Sequence, residues 1–177
     1  MNFGIMNFGR IAIAALFMSV LSANGVEAQT QITVTGPQSG FPIAIPVICD
    51  AGGAGNTVAE IPATIRKDLE MSGVFNVLEP SSFVESPGKC SETAYSDWTI
   101  TGADGLVKGR ILSNGDTITA EMFLHDVPKQ AVVLGKRYTA TKADARKIGH
   151  KFANEIMRVF TGQPGVFGTQ IAFVKKV

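Results

Sequence analysis

Apolar and polar positions alternate most regularly in the second half of the chain. "TITAEMFLHD" (117–126) sets Ile118, Ala120, Met122 and Leu124 on one side, the period-two pattern of a strand with one buried face. "GADGLVKGRIL" (102–112) before it predicts a strand from about Gly105, and "AVVLGKRYTA" (131–140) after it predicts a third. Asn114-Gly115-Asp116 is the turn between the first two, because Asn and Gly accept positive φ. Val127-Pro128-Lys129-Gln130 turns the chain again, giving a meander.

Two other stretches carry apolar residues at helical spacing. In the first, Val58, Ile61, Ile65 and Leu69 make the buried stripe, and Arg66, Lys67, Asp68 and Glu70 cover the other face. Thr57-Val58-Ala59-Glu60 reads as a capping box at its start. Pro62 is early enough to be tolerated, and Ser72-Gly73 ends the helix at a left-handed cap. In the second, Thr141-Lys142-Ala143-Asp144 opens a helix with the stripe Ala145, Ile148, Phe152, Ile156 and Val159, stopped by Gly162 and Pro164.

The remaining segments are less periodic. "FPIAIPVICD" (41–50) has no polar alternation, which predicts a strand buried on both faces, as in α/β sheets. "VFNVLEP" (74–80) is the next strand. Residues 81–97 predict an irregular surface loop with one short helical turn, and Trp98 packing at the edge of the core. Phe167–Val174 reads as a final strand with no turn and no following strand, so residues after about Phe167 are expected to be loosely held or to lie against the domain's own sheet. Residues 29–40 are polar and β-branched, an N-terminal arm with a short extended piece at Ile32–Thr35.

The first segment changes the picture. Arg10 is the only charge in the first 26 residues, and an apolar run, Ile11–Leu21, follows it. That run is too short for a bilayer, which takes roughly 20 residues. Val26-Glu27-Ala28 then offers small residues where a signal peptidase reads, so residues 1–28 are read as a secretory signal peptide cleaved after Ala28. The mature chain has no cysteine near that point for lipidation and no later segment for membrane insertion, and it is placed in the periplasm. Its core domain is taken as 41–165, with 166–177 as last strand and tail.

Charge is nearly balanced, 16 Lys and Arg against 15 Asp and Glu, so no nucleic-acid footprint shows. The two cysteines, Cys49 and Cys90, stand in an exported chain. An oxidising compartment permits a bridge, which would add about 4 kcal/mol in the chain-entropy model. Two unpaired thiols acting as small hydrophobes are the alternative.

Catalytic signals are absent. "AGGAGN" (51–56) lacks both G-x-G-x-x-G spacing and a following Lys-Ser/Thr, so it is a plain connector. His125 ends a strand and His150 lies on a helix, neither with a metal-ligand spacing around it; His150 is read as a surface or packing residue. Asp116, Glu121 and Asp126 lie on or near one hairpin, where turns and solvent faces normally carry acids. No nucleophile elbow or Cys–His pair appears. The expectation is a non-enzyme with no cofactor and no metal.

Several motifs then point one way. "SGFPIAIP" (39–46), "IRKDLEMSGVFNVLEPSSF" (65–83), "GADGLVKGRI" (102–111) and "RKIGHKFANEIMRVFTGQPGVFGTQIAFV" (146–174) together resemble the N-terminal domain of the TolB family. The resemblance implies a three-layer α/β/α fold, similar to an anticodon-binding domain, with a mixed sheet of about five strands and two main helices. It implies a periplasmic adaptor of the Tol–Pal system, which supports outer-membrane integrity and cell division and is exploited for bacteriocin uptake. It implies that the arm contacts TolA, an inner-membrane protein, and places strand-addition contacts on Thr30, Ile32, Thr33, Val34 and Thr35. The family's second domain, a six-bladed propeller that binds Pal, should start at "TQIAFV". This chain carries that strand and no blade, so Pal binding is not expected of it. Two further readings are a stand-alone ligand-binding or envelope-assembly domain and a truncated family member.

Overall fold

In the computed structural model, residues 40–84 and 93–169 are described. The arm residues Thr30 to Thr35, Cys90 and residues 170–177 lie outside them, as does the signal segment.

The elements follow the order β1 (Phe41–Ala44), β2 (Cys49–Gly52), α1 (Thr57–Ser72), β3 (Phe75–Val77), α2 (Tyr95–Thr101), β4 (Gly105–Asn114), β5 (Thr117–Asp126), β6 (Ala131–Thr141) and α3 (Ala145–Thr161). They build one mixed sheet in the order β3-β1-β4-β5-β6, with β2 also on β4. The pairs of β1 with β3 and β4, and of β2 with β4, are parallel. The meander β4-β5-β6 is antiparallel, and its first turn is the two residues Gly115-Asp116 between the paired ends Asn114 and Thr117.

The expected strand over 41–50 is in fact two. β1 stops at Ala44 and β2 resumes at Cys49, both beside β4. Pro46 sits in the gap, where it has no N–H to give a ladder. The break leaves the Ile45 carbonyl without a strand partner. Arg66 of α1 supplies one, donating to Ile45 O at 3.1 Å and to Leu78 O at 2.9 Å. Arg66 therefore belongs to the sheet's support rather than to the solvent face of the helix.

Successive strand residues point to opposite faces, and the core divides accordingly. Ile43, Val107, Ile111, Ile118, Ala120, Met122 and Leu124 face one side. There they meet Ile61, Ile65 and Leu69 of α1 and Ile148, Phe152 and Ile156 of α3. Ala44 and Leu106 face the other side, where Trp98 of α2 closes a smaller cluster with Ala103 and Val127. Trp98 is 1 % exposed, so it is the centre of a second core, not the edge of the first. This is the α/β arrangement with helices on both faces, and α2 is a helix of seven residues where a single turn was expected.

Two helix starts differ from their sequence signals. Asn56, in a helical conformation, is the N-cap of α1, and the Thr57 hydroxyl donates to Ala54 O at 2.6 Å instead of closing a capping box with Glu60. At α3 a 3₁₀ turn, Lys142–Asp144, comes first, and the Thr141 hydroxyl donates to the Asp144 carboxylate at 3.0 Å. Cys49 is buried at the start of β2.

Tyr138 of β6 lies under α3, edge-on to Phe152. Its hydroxyl is buried with no hydrogen-bond partner among the described residues. Burial, aided by the nearby Glu155, pushes its pKa from the usual 10.0 up to about 12. The folded state thus holds this proton more tightly than the unfolded chain. Its contribution is complete below about pH 10 and is lost as pH rises from there toward 12. Tyr138→Phe removes an orphaned polar group, so urea unfolding at pH 7 should show a gain of about 1 kcal/mol. The variant should also lose the Tyr138 part of the alkaline decline.

Candidate interaction site

The face of α1 next to α3 is not polar solvent surface. α1 and α3 run close together because Gly149 has no side chain. A Cβ there would stand 2.7 Å from Thr64 Cβ and 3.0 Å from the Ile61 carbonyl oxygen. One residue on, His150 Nδ1 lies 2.7 Å from the Asp68 carboxylate, which α1 brings to the same seam. Asp68 is only 4 % exposed; its place beside Lys67 and Glu70 in the sequence had suggested the opposite.

Past α3 the chain folds back onto this seam. Gly162 caps α3 in the left-handed region. The Asn154 side chain then grips the backbone of Phe167 at two points. Asn154 Nδ2 donates to Phe167 O at 3.0 Å, and Phe167 N–H donates to Asn154 Oδ1 at 2.9 Å. Gly168, with φ 73°, comes close to His150: a Cβ added there would stand 3.0 Å from His150 Cβ and 3.1 Å from its Cγ. The described part of the expected last strand, Phe167–Thr169, is therefore a turn held on α3, and it does not lie on the sheet.

Between α1, α3 and this returning segment runs a groove of about 780 Å³. Met71, Met157, Val166 and Phe167 give it an apolar lining, and Lys67 and Arg146 add cations. The Asp68–His150 pair sits in its wall. The arrangement joins two helices and a chain segment, and it offers a neighbouring molecule an apolar channel with positive charge.

The opposite face of the meander carries a second polar cluster. Glu121 lies across from Arg110 on β4 and Arg137 on β6, and its carboxylate accepts from both guanidiniums. These two bonds, Arg110 first, hold the Glu121 pKa below the ordinary value. Near α2, His125 accepts or donates at 2.9 Å with the Tyr95 hydroxyl. Burial, with Lys108 nearby, lowers its pKa. No group of three His, Cys, Asp or Glu side chains among the described residues is placed to hold a metal ion. No helix among them is long and apolar enough to cross a membrane.

Comparison with known proteins gives a consistent answer. The profile of the TolB amino-terminal domain matches residues 30–133. A Tol-Pal system protein TolB from Anaeromyxobacter dehalogenans (strain 2CP-1) is 33% identical over 170 residues, covering 94% of this chain and 39% of the relative. One from Nitrosococcus oceani is 34% identical over 167 residues, covering 93% of this chain and 38% of its own. The crystal structure of TolB from Acinetobacter baumannii shares the fold, with a TM-score of 0.59 at 24% identity over 76% of this chain and 31% of that one. The chain spans about two fifths of the length of the curated relatives it matches.

Proposed function

Because the chain belongs to the TolB family, matched by its amino-terminal domain over residues 30–133, we propose that it is a protein-binding adaptor of the Tol–Pal envelope system. The family match carries this reading, and the shared names of the relatives support it. The adaptor is non-catalytic and works in the periplasm, reached through the signal segment 1–28. Its arm, residues 29–40, adds as a strand to the periplasmic domain of a TolA-like inner-membrane protein. Backbone hydrogen bonds give that contact its strength, and Ile32 and Val34, at alternate positions among Thr30, Thr33 and Thr35, give it register. Support of outer-membrane integrity and division, and use by bacteriocins, follow from that link.

The test is a pull-down with the periplasmic domain of TolA, comparing the intact mature protein with one lacking residues 29–39. The intact protein should be retained and the shortened one lost, with unchanged circular dichroism. Retention of neither form would overturn the reading, and equal retention of both would remove the arm from it.

A further inference from the structure

We propose that the outer edge of β6 accepts an extended, acidic segment of a partner protein as an additional strand, a contact independent of the N-terminal arm.

β6 is last in the sheet order, so one of its sides meets no strand among the described residues. It is 11 residues long, Ala131–Thr141, whereas β3 at the other edge has three. A long edge is a template for another chain, and charged side chains on it, lysine above all, turn away strands that do not complement them. Here the centre of the edge carries Lys136 and Arg137. Consecutive strand residues point to opposite faces, so one cation stands on each side. Lys136 reaches Glu155 of α3 at 3.4 Å, and Arg137 holds Glu121. Both head groups stay accessible, Arg137 at 71 % of its side-chain surface, and each has N–H donors beyond those its own partner uses.

This pattern selects between occupants. A second copy of the chain, paired antiparallel about the strand centre, would set these cations against themselves, and like charges directly opposite destabilise a ladder. An incoming strand with carboxylates at its centre would meet a cation on either face. Two further features suit it. Val132 and Val133 are exposed at one end of the edge, where the register slips between Leu124 and His125, and they ask for apolar company. Gly135 stands opposite Phe123 with only its backbone near that ring. An aliphatic side chain arriving beside Gly135 can reach across to the ring, as cross-strand neighbours of an edge glycine do.

The probe is a synthetic peptide, Thr-Val-Thr-Leu-Glu-Asp-Val-Thr-Val-Thr, titrated into the isotope-labelled full chain and followed by NMR and amide exchange. A control peptide has Lys-Lys in place of Glu-Asp. Shifts and new exchange protection should centre on Ala131–Thr141 with the acidic peptide alone. The double variant Lys136→Glu, Arg137→Glu should lose at least about tenfold in affinity for it and prefer the lysine peptide. A protein lacking residues 29–39 should bind as well as the intact one, which separates this contact from the arm. No change at β6, equal binding of both peptides, or dimers formed through β6 without peptide would each overturn the proposal.

Discussion

Trp98→Ala should lower the free energy of unfolding by about 3–5 kcal/mol, the usual cost of deleting a large buried aromatic. Trp98 is the largest of the fully buried side chains on the α2 side of the sheet. Its neighbours there are small or medium, Ala44, Ala103, Leu106 and Val127, with Phe83 edge-on at 5.2 Å between ring centroids. Two alanines, one valine and one leucine leave most of the space of an indole unfilled, so the cavity term is large. The loss is a sizeable part of the stability of an ordinary domain. Ile100, two residues away in the same short helix, is 76 % exposed, and Ile100→Ala should change stability by less than about 0.5 kcal/mol. Urea unfolding of the two variants side by side checks both numbers. A small effect of Trp98→Ala would mean that the second core carries little of the fold.

The second large effect is expected at Gly149. In a helix interior, replacing glycine normally helps by up to about 1 kcal/mol. At Gly149 the helix packs on α1, and any Cβ meets Thr64 Cβ at 2.7 Å. That atom sits next to the backbone and cannot swing away. Gly149→Val adds two more carbons to the same gap, so overpacking of about 1–3 kcal/mol exceeds the propensity gain. Separating the helices also loosens the adjoining Asp68–His150 bond. The variant should melt lower, with faster amide exchange along α1 and α3. A higher melting temperature would show that the seam can open without cost.

The meander was legible because its signals are local. Alternation at Ile118, Ala120, Met122 and Leu124 needs only β5 itself, and the Asn114-Gly115 turn needs only four residues. What stayed hidden depends on distant neighbours. Asp68 and His150 are 82 positions apart, and each in its own window looks like surface. Glu121 reads as a hairpin acid until Arg110 and Arg137 arrive from two other strands. Arg66 looks solvent-facing because nothing local says that Pro46 will leave a carbonyl free. The capping box at Thr57 failed for a related reason: the loop before it turns so that Ala54 O, not a helix amide, is nearest the hydroxyl. Asn154 has no sequence signature at all, since a gripping amide and a solvated one look the same in a string of letters.

Asn154 also settles how load would travel through this end of the domain. A single hydrogen bond is a swivel; two bonds to the same residue, one given and one accepted on the peptides either side of its Cα, resist twist as well as separation. With Gly168 also close against His150, the chain at Phe167 takes its bearing from α3. A pull on residue 169 would therefore press first on α3, and from there on α1 through the Gly149 contact and on the sheet through Phe152 and Ile156. The junction is a bracket bolted to a helix of the larger core, so torque applied to it bears on that core.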